Sequence, residues 1–377
     1  MADWKDFANI WKTVGEVDLR PIREDALREL RIAMVGEEGS GRHALAEQMR
    51  RDPARPAVCT HTPVNILELD GEEGLKEADL IVVLAGVVGG DFTRHQALVR
   101  RLTNAGKKVL VFYNHDASET APPPSGLELA WEAASLVVGP VDNPRFLLKE
   151  FVPAVLELLP GHHLPLARLF PLFRTAVAHR LINDTCFSNA AYALSTSLAE
   201  LVPVLNIPFN IADMVVLTKA QAFLMYKLGL ALGYSTRWQD YVKEFGGAIG
   251  SGFVWRQVAR YLVGLIPVVG IIPKVGVAYS GTFVVGQAVL GWYLTGRHIS
   301  PRRIRELTRQ AYRQGRAFAL ERLAKAPRLR LPRRKRAELP AQLSTQTCPN
   351  CARNNAADAL FCQYCGQALL QSSEEAH

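Results

Sequence analysis

Four cysteines near the carboxyl end of the chain have the chemistry and spacing of a metal site. Cys348 and Cys351 form one C-x-x-C pair, and Cys362 and Cys365 form a second pair after ten intervening residues. Four thiolates at this spacing can meet in a tetrahedron around zinc, and closed sites of this kind are structural. Two disulfides are the alternative, which the metal-like spacing disfavours. The pattern therefore predicts a structural zinc ion bound by reduced cysteines, which indicates the cytosol.

A glycine-rich stretch between Gly36 and His43 has the outline of a phosphate-binding loop. In the pattern G-x-x-x-x-G-K-[ST], backbone N–H groups cradle phosphate, the lysine reaches the outer phosphates and the hydroxyl holds magnesium. Here Arg42 replaces the lysine and His43 replaces the hydroxyl residue. Arginine keeps the positive charge but imidazole is a poor ligand for magnesium, so the loop predicts weak phosphate binding without hydrolysis. A plain glycine-rich turn between a strand and a helix is the alternative.

The segments around this loop predict an α/β domain with a parallel sheet. Residues 30–35 are typical of a buried strand that leads into the loop, and residues 44–49 are typical of the helix that follows it. Short apolar runs at residues 64–69, 79–84 and 107–112 are separated by polar or helical stretches. This alternation indicates parallel strands joined by crossover helices.

Over about residues 30–160, through this loop and these strands, the chain resembles the Era-like GTPase domain. In that family one strand ends in D-x-x-G, which senses the last phosphate, and a later strand ends in N-K-x-D, which selects guanine. Here residues 68–71 are Glu-Leu-Asp-Gly, and Asn114-His115-Asp116 is one residue short and lacks the lysine. The resemblance implies a P-loop NTPase-like fold and a site for GTP at Gly36, Gly39, Ser40, Gly41, Arg42, His43, Gly71, Asn114 and Asp116.

Four signature elements of that family are altered at once in this sequence. The loop, the D-x-x-G element and the N-K-x-D element all depart from the family pattern. The connection over residues 52–63 is also too short for an effector loop with a magnesium-ligating threonine. These changes predict a domain retained for its shape or for weak nucleotide binding, and we assign no catalytic residue.

The positive charge of the protein is confined to one segment. The 377 residues carry 44 Lys and Arg against 36 Asp and Glu, a formal net charge of +8. Residues 297–336 hold 15 of these Lys and Arg but only Glu306 and Glu321, a balance of +13, so the rest of the chain is at −5. Arginines interleave with apolar residues over residues 302–318, which predicts an amphipathic helix lying along a surface. Such a cluster attracts anionic lipid headgroups.

The most apolar part of the chain precedes this basic segment and predicts two helical hairpins. The first spans about residues 185–234 and the second about residues 246–296, with proline pairs at the turns. Residues 275–296 contain no charged residue, and this length is sufficient to cross a membrane. Arginines directly after such a helix favour a cytoplasmic position for the segment that follows. The alternative is a buried helical bundle in a water-soluble protein.

Over about residues 165–320 the chain resembles a double-hairpin domain of uncharacterised bacterial membrane proteins, the YcjF type. Residues across both hairpins carry the resemblance, among them Pro203, Pro208, Trp255 and Pro267. This domain is often fused behind Era-like GTPase domains. The resemblance implies attachment to the bacterial inner membrane, with the amino-terminal and carboxyl-terminal domains in the cytoplasm. The four cysteines and their knuckle turns likewise resemble a short bacterial zinc ribbon, with Phe361 as a small core.

The fold class that we predict is an α/β P-loop NTPase-like domain, then an all-α double helical hairpin associated with a membrane, then a small zinc ribbon. The predicted boundaries comprise an amphipathic amino-terminal helix with its lead-in at 1–29, a degenerate GTPase-like domain at 30–160, hairpins that are expected to span a membrane at 161–320, a basic linker at 321–344 and the ribbon at 345–370.

The expected function is that of a membrane-associated scaffold or regulator that binds nucleotide weakly or not at all. Expected partners are anionic membrane lipid, an unidentified protein at the ribbon, and a second copy of the chain through the hairpins. Asp213, Arg256 and Lys274 are candidates for buried ion pairs whose role the sequence leaves open. Two alternatives remain, an active GTPase that uses Arg42 and a soluble nucleic-acid or ribosome binder that uses the basic segment and the ribbon.

Overall fold

The computed structural model describes residues 18–86, 92–115, 135–199, 211–241, 271–325, 345–356 and 361–365, together with Gln367 and Leu369. The chain divides into two compact units, Met1–Leu323 and Ala324–His377. Parts of the sequence prediction lie outside the described residues. They are the amino-terminal amphipathic helix, Asp116, the side chain of Asp213, the turn of the first hairpin, the first helix of the second hairpin with Arg256, and the linker from 326 to 344.

A sheet of five parallel strands lies at the centre of the first unit. The strands are β1 (Ile32–Gly36), β4 (Asn65–Leu67), β5 (Leu80–Gly86), β6 (Val109–Asn114) and β7 (Ser135–Gly139), in the order β4-β1-β5-β6-β7. The three central strands are almost wholly buried because helices cover both faces, which explains their continuous apolar sequences. The predicted α/β fold with a parallel sheet is confirmed.

Helices lie on both faces of this sheet. α1 (Arg20–Ala26) and α2 (Arg42–Arg50) contribute to the core on one face, and α3 (Thr93–Asn104) contributes to the core on the other. An antiparallel hairpin of β2 (Arg51–Asp52) and β3 (Arg55–Cys59) occupies the connection after α2. Our sequence analysis did not predict this hairpin or β7.

A ladder of phenylalanines joins the sheet to the helices that follow it. α4 (Pro144–Phe146) continues through a π-helical turn, Leu147–Phe151, into α5 (Val152–Leu158). The ring of Phe151 lies 5.7 Å from that of Phe112 in β6 and 6.1 Å from that of Phe173, measured between centroids. Phe173 ends a 3-10 turn, Pro171–Phe173, that follows α6 (His163–Leu169). The α/β domain and the helices therefore share one continuous hydrophobic core.

Among the described residues, four long helices follow: α7 (Arg174–Ala199), α8 (Ile211–Ala231), α9 (Ile271–Thr295) and α10 (Pro301–Lys325). α7 and α8 correspond to the two arms of the first predicted hairpin, and α9 corresponds to the second arm of the second hairpin. Pro273, the second proline of the pair predicted at the turn of the second hairpin, lies in the first turn of α9. The first turn of a helix accepts proline because its N–H groups have no intrahelical partner.

One helix among the described residues is long and apolar enough to cross a membrane, and it is α9. Its most apolar window is 72% buried inside the protein, and the core helix of a water-soluble protein passes the same test of length and composition. Of its 25 residues, only Thr295 is exposed. Asn189 in α7 donates a hydrogen bond of 2.8 Å to Thr282 in α9, and both side chains are buried. In the described structure α9 therefore lies within a helical bundle.

The contact between α9 and α10 depends on two glycines that bring the helix backbones close together. A Cβ atom at Gly315 would lie 3.0 Å from the Cα of Gly276 and 2.7 Å from the Cβ of Tyr279. A Cβ atom at Gly276 would in turn lie 2.7 Å from the ring of Tyr312. Ordinary carbon contacts are about 3.5–4.0 Å. Only glycine fits at these positions, as expected where two helices approach closely.

A buried carboxylate connects the β2–β3 hairpin to the first long helix. Asp52 is 1% exposed and pairs with Arg55 at 3.0 Å. Arg174, at the start of α7, is also buried, and burial lowers the pKa of its guanidinium while the charge of Asp52 opposes that effect. Arg168 donates to the carbonyl of Leu230 in the last turn of α8 and to that of Tyr234 just after it. Opposite charges thus stabilise the joint between the α/β domain and the helical bundle.

The second unit contains a small antiparallel ladder of β8 (Thr345–Thr347) and β9 (Asn354–Ala356). Among its described residues, Cys348, Cys362 and Leu369 form a small hydrophobic cluster, and Asn355 is buried as well. Phe361 was expected to form the core, but it is 63% exposed. Two of the cysteines and Leu369 form the hydrophobic cluster of the described residues instead.

Candidate functional site

The glycine-rich loop lies at the carboxyl edge of the parallel sheet, between β1 and α2. Gly39 and Gly41 have positive φ angles of 81° and 94°, which L side chains rarely adopt. A Cβ at Gly36 would lie 2.5 Å from the carbonyl oxygen of Leu84, so the loop folds tightly over β5. Gly41 is the N-cap of α2, and no side chain of the described residues caps that helix end. The first turn of α2 thus presents backbone N–H groups of the kind that bind anions.

Ser40 points its hydroxyl into this loop without a partner. The residue is 3% exposed, and its Oγ has no hydrogen-bond partner among the described residues. Buried hydroxyls are normally hydrogen-bonded, so an unsatisfied one at a helix amino terminus is available to donate to an anion. The loop therefore offers backbone N–H groups and one hydroxyl of the kinds that can bind phosphate.

The positively charged side chain of the loop, that of Arg42, points away from the N–H groups at the start of α2. The guanidinium of Arg42 is buried, donates to the carbonyl oxygen of Leu67 at the end of β4, and pairs with the carboxylate of Glu68 at 2.5 Å. Arginine is long enough to reach β4, and its planar fork can serve a carbonyl and a carboxylate together. Glu68 is the residue that the sequence analysis compared with the aspartate of D-x-x-G. The side chains at the two compared positions are thus bound to each other.

The turn after β4 carries a second carboxylate in addition to that of Glu68. Gly71 donates its N–H to the carbonyl of Glu68 at 2.9 Å, which closes the turn, and Asp70 pairs with Arg94 of α3 at 2.5 Å. The loop itself contains the exposed carboxylates of Glu37 and Glu38. A nucleotide phosphate at this edge would face carboxylates, while the nearest arginines are already paired.

Asn114 joins three parts of this edge. Its Oδ1 accepts a hydrogen bond of 3.2 Å from the N–H of Val141, in the turn after β7. Its amide nitrogen lies so near Gly41 that a Cβ there would come within 3.0 Å of it. Asn114 therefore fixes the loop relative to β6 and β7. His43 is exposed, and Asp116 lies outside the described residues.

The four cysteines converge at the second candidate site. The sulfur atoms of Cys348 and Cys365 are 3.6 Å apart, as are those of Cys351 and Cys362, and all four lie within 4.8 Å of one another. Zinc–sulfur bonds of about 2.3 Å in a tetrahedron place the sulfurs about 3.8 Å apart. The arrangement therefore fits a metal ion such as zinc.

Hydrogen bonds and crowding give these thiols different acidities. Burial raises the pKa of Cys362, but the backbone N–H groups of Tyr364 and Cys365 outweigh it and bring that pKa to about 6. A backbone hydrogen bond from Arg353 lowers the pKa of Cys351, but burial and the neighbouring thiols raise it to about 12. The four thiols oppose one another's ionisation, and a divalent cation would remove this conflict because it binds them as thiolates.

Side chains around the cysteines add to the site and to its surface. The amide of Asn355, which is buried, lies 3.5 Å from the sulfur of Cys362 and accepts a hydrogen bond from the N–H of Gln363. The guanidinium of Arg353 lies 4.8 Å from the centroid of the Tyr364 ring. Tyr364 and Phe361 are both exposed, at 53% and 63%. The sequence analysis did not identify Asn355, because a single asparagine between cysteine pairs carries no distinctive signal.

Comparison with protein-family models finds no match to this chain, and comparison with curated proteins finds no significant similarity. Any functional proposal therefore depends on the geometry of the chain's own residues.

Proposed function

We propose that the protein is a membrane-associated scaffold or regulator whose P-loop-like domain does not hydrolyse nucleotide and whose carboxyl-terminal cysteines hold a structural zinc ion. The observation that carries the proposal is the ion pair between Arg42 and Glu68. The cation that would meet the outer phosphates is held instead by the carboxylate of Glu68, in the turn after β4. The site for GTP is thereby left with backbone donors and the Ser40 hydroxyl, which favours weak phosphate binding.

Attachment to a bacterial inner membrane is the second part of the proposal. It is supported by the arginine-rich α10 and by the resemblance to the double-hairpin domain. The expected partner is anionic lipid. Association of two copies through the hairpins is a further expectation, and nucleic acid is the less favoured partner.

Docking of a protein to the zinc unit is the third part. Closed four-cysteine sites are structural, so the metal would stabilise a surface and would not activate water. The exposed rings of Phe361 and Tyr364 and the guanidinium of Arg353 are side chains of the kind that dominate protein interfaces. An unidentified protein is therefore the expected partner of this unit.

The nucleotide part is tested with the purified full chain, GTP and magnesium. The wild type should release phosphate at the rate of a protein-free control. Arg42→Ala should leave GTP affinity unchanged but lower the free energy of unfolding by about 1–3 kcal/mol, because the half-buried carbonyl of Leu67 loses its donor. Arg101→Ala, which removes an exposed arginine paired with Glu72, should change neither quantity. GTP hydrolysis that disappears in Arg42→Ala would establish the active GTPase and refute this proposal.

The metal part is tested by elemental analysis of the same protein. One zinc per chain is expected in the wild type and none in Cys348→Ser, whereas Cys59→Ser should retain the zinc. Retention of zinc by Cys348→Ser, or a metal-free wild type purified without chelator, would contradict a four-cysteine zinc site.

A further inference from the structure

α10 carries its positive charge as a single stripe. With 3.6 residues per turn, Arg302, Arg305, Arg309, Arg313 and Arg316 fall within about 80° of the helix circumference. All five are exposed. From the first to the last they extend over about 21 Å of helix. Leu320, 51% exposed, continues the same stripe toward the end of the helix.

The apolar face of α10 is already occupied by protein. Ile304, Leu307, Ala311 and Gly315 are buried, and Ile304 and Leu307 pack with Val284 of α9. An amphipathic helix that enters a bilayer does so with its apolar face. Because that face is covered, α10 can offer a partner only its arginines and the few apolar atoms at their edge.

The packing also fixes where the arginines lie relative to α9. Gly315 faces Gly276 near the start of α9, and Ile304 packs near Val284 in its middle, so the two helices are antiparallel neighbours. If α9 crossed a bilayer in this arrangement, Arg305 to Arg316 would lie at the depth of its apolar half. Arginines are costly there unless they are paired, and Arg309, Arg313 and Arg316 have no carboxylate partner among the described residues.

We propose that the arginine stripe of α10 is the surface through which the protein binds, peripherally, the phosphate headgroups of an anionic bilayer. This deepens the proposed membrane association and rests on it, and it assigns α9 to the protein core instead of the hydrocarbon. Charge complementarity supports it because an anionic leaflet attracts clustered Lys and Arg. The sequence continues after α10 with six more cations between Arg328 and Arg336, which add charge of the same sign.

Nucleic acid is the rival partner for a basic stripe. Binding to single strands depends on aromatic rings on which bases stack, and the stripe contains none. Tyr312, which lies next to it, packs against Gly276. A straight row of cations that ends in an exposed leucine instead matches a surface with phosphates outside and apolar chains beneath.

The test is sedimentation of the full chain with vesicles of phosphatidylcholine alone or with added phosphatidylglycerol, at low and high salt. The wild type should bind only the anionic vesicles and should be released by high salt. The variant Arg309→Gln/Arg313→Gln/Arg316→Gln should bind about a hundredfold more weakly, since each cation contributes roughly a fivefold factor. Glutamine is as good a helix former as arginine, and far-UV circular dichroism would verify that the variant is folded.

The matched control is Arg100→Gln/Arg145→Gln/Lys149→Gln, which removes three exposed cations from the α/β domain. It should bind within about twofold of the wild type. Equal binding by the stripe variant and the wild type, or an equal loss in the control, would overturn the assignment to α10. Sedimentation that resists salt and carbonate would mean that a helix crosses the bilayer, and tighter binding to duplex DNA than to vesicles would mean a nucleic-acid surface. A wild type that binds no vesicles would refute the proposed membrane association itself.

Discussion

The close contact between α9 and α10 predicts opposite outcomes for the same substitution at two glycines. Alanine is about 1 kcal/mol more favourable than glycine inside a helix. At Gly291 of α9, a Cβ would lie 3.6 Å from the nearest atom of Ile299, an ordinary contact. Gly291→Ala should therefore raise the free energy of unfolding by about 0.5–1 kcal/mol.

At Gly315 the methyl group of an alanine would collide with the backbone of α9. It would lie 3.0 Å from the Cα of Gly276 and 2.7 Å from the Cβ of Tyr279, where contacts of about 3.5–4.0 Å are normal. The helices must separate, and overpacking of this kind costs about 1–3 kcal/mol. Both variants gain the same helix propensity. The free energy of unfolding of Gly315→Ala should therefore be about 1–3 kcal/mol lower than that of Gly291→Ala.

The measurement is urea unfolding of both variants and the wild type, followed by far-UV circular dichroism. Gly276→Ala, which would place a Cβ 2.7 Å from the Tyr312 ring, should behave like Gly315→Ala. Equal stabilisation at Gly291 and Gly315 would show that the helices do not approach closely in solution. The placement of the arginine stripe relative to α9 would then lose its support.

Three further predictions concern the core, the joint and the free thiols. Phe151→Ala should lower the free energy of unfolding by about 3–5 kcal/mol, because a fully buried ring is lost, whereas Phe361→Ala should change it by less than about 0.5 kcal/mol; equal values in urea unfolding would contradict the aromatic ladder. Asp52→Asn should cost about 3–5 kcal/mol because it leaves buried arginines without their counter-charge, while Glu29→Gln, at an exposed pair with Arg31, should cost less than about 1 kcal/mol in the same assay. Cys59 is exposed and should react with a thiol reagent in the native protein, whereas Cys186 should not, since burial raises the pKa of that thiol. Mass spectrometry of the labelled peptides measures the reaction, and faster labelling of Cys186 than of Cys59 would contradict the prediction.

Regular patterns in the sequence predicted the regular parts of the fold. Continuous apolar runs located β1, β5 and β6 because parallel strands are buried on both faces. The alternation of arginine with apolar residues located α10, and paired C-x-x-C spacing located the cysteine cluster. Each of these patterns lies within one short stretch of sequence, so it can be recognised without knowledge of the fold.

Features that depend on distant contacts were not predictable in the same way. β7 is a half-buried strand at the sheet edge with a short and mixed sequence, and β2 has only two residues. The pairing of Arg42 with Glu68 joins positions 26 residues apart, and the sequence indicates only that both depart from the family pattern. The burial of Asp52 near Arg174 could not be predicted either, because an isolated aspartate in a polar hairpin is expected to be exposed to solvent.

The ladder of Phe112, Phe151 and Phe173 determines where this chain can be divided. A fragment that ended at residue 160 would keep all five strands of the sheet, yet it would lack Phe173 and the helices that cover Phe151. Such a fragment would expose apolar surface that the intact protein buries, and exposed apolar surface of this kind favours aggregation. Neither the strands nor the long helices should therefore be stable until both have been synthesised. A gene fusion that transferred only one of the two parts to another protein would separate the halves of one hydrophobic core.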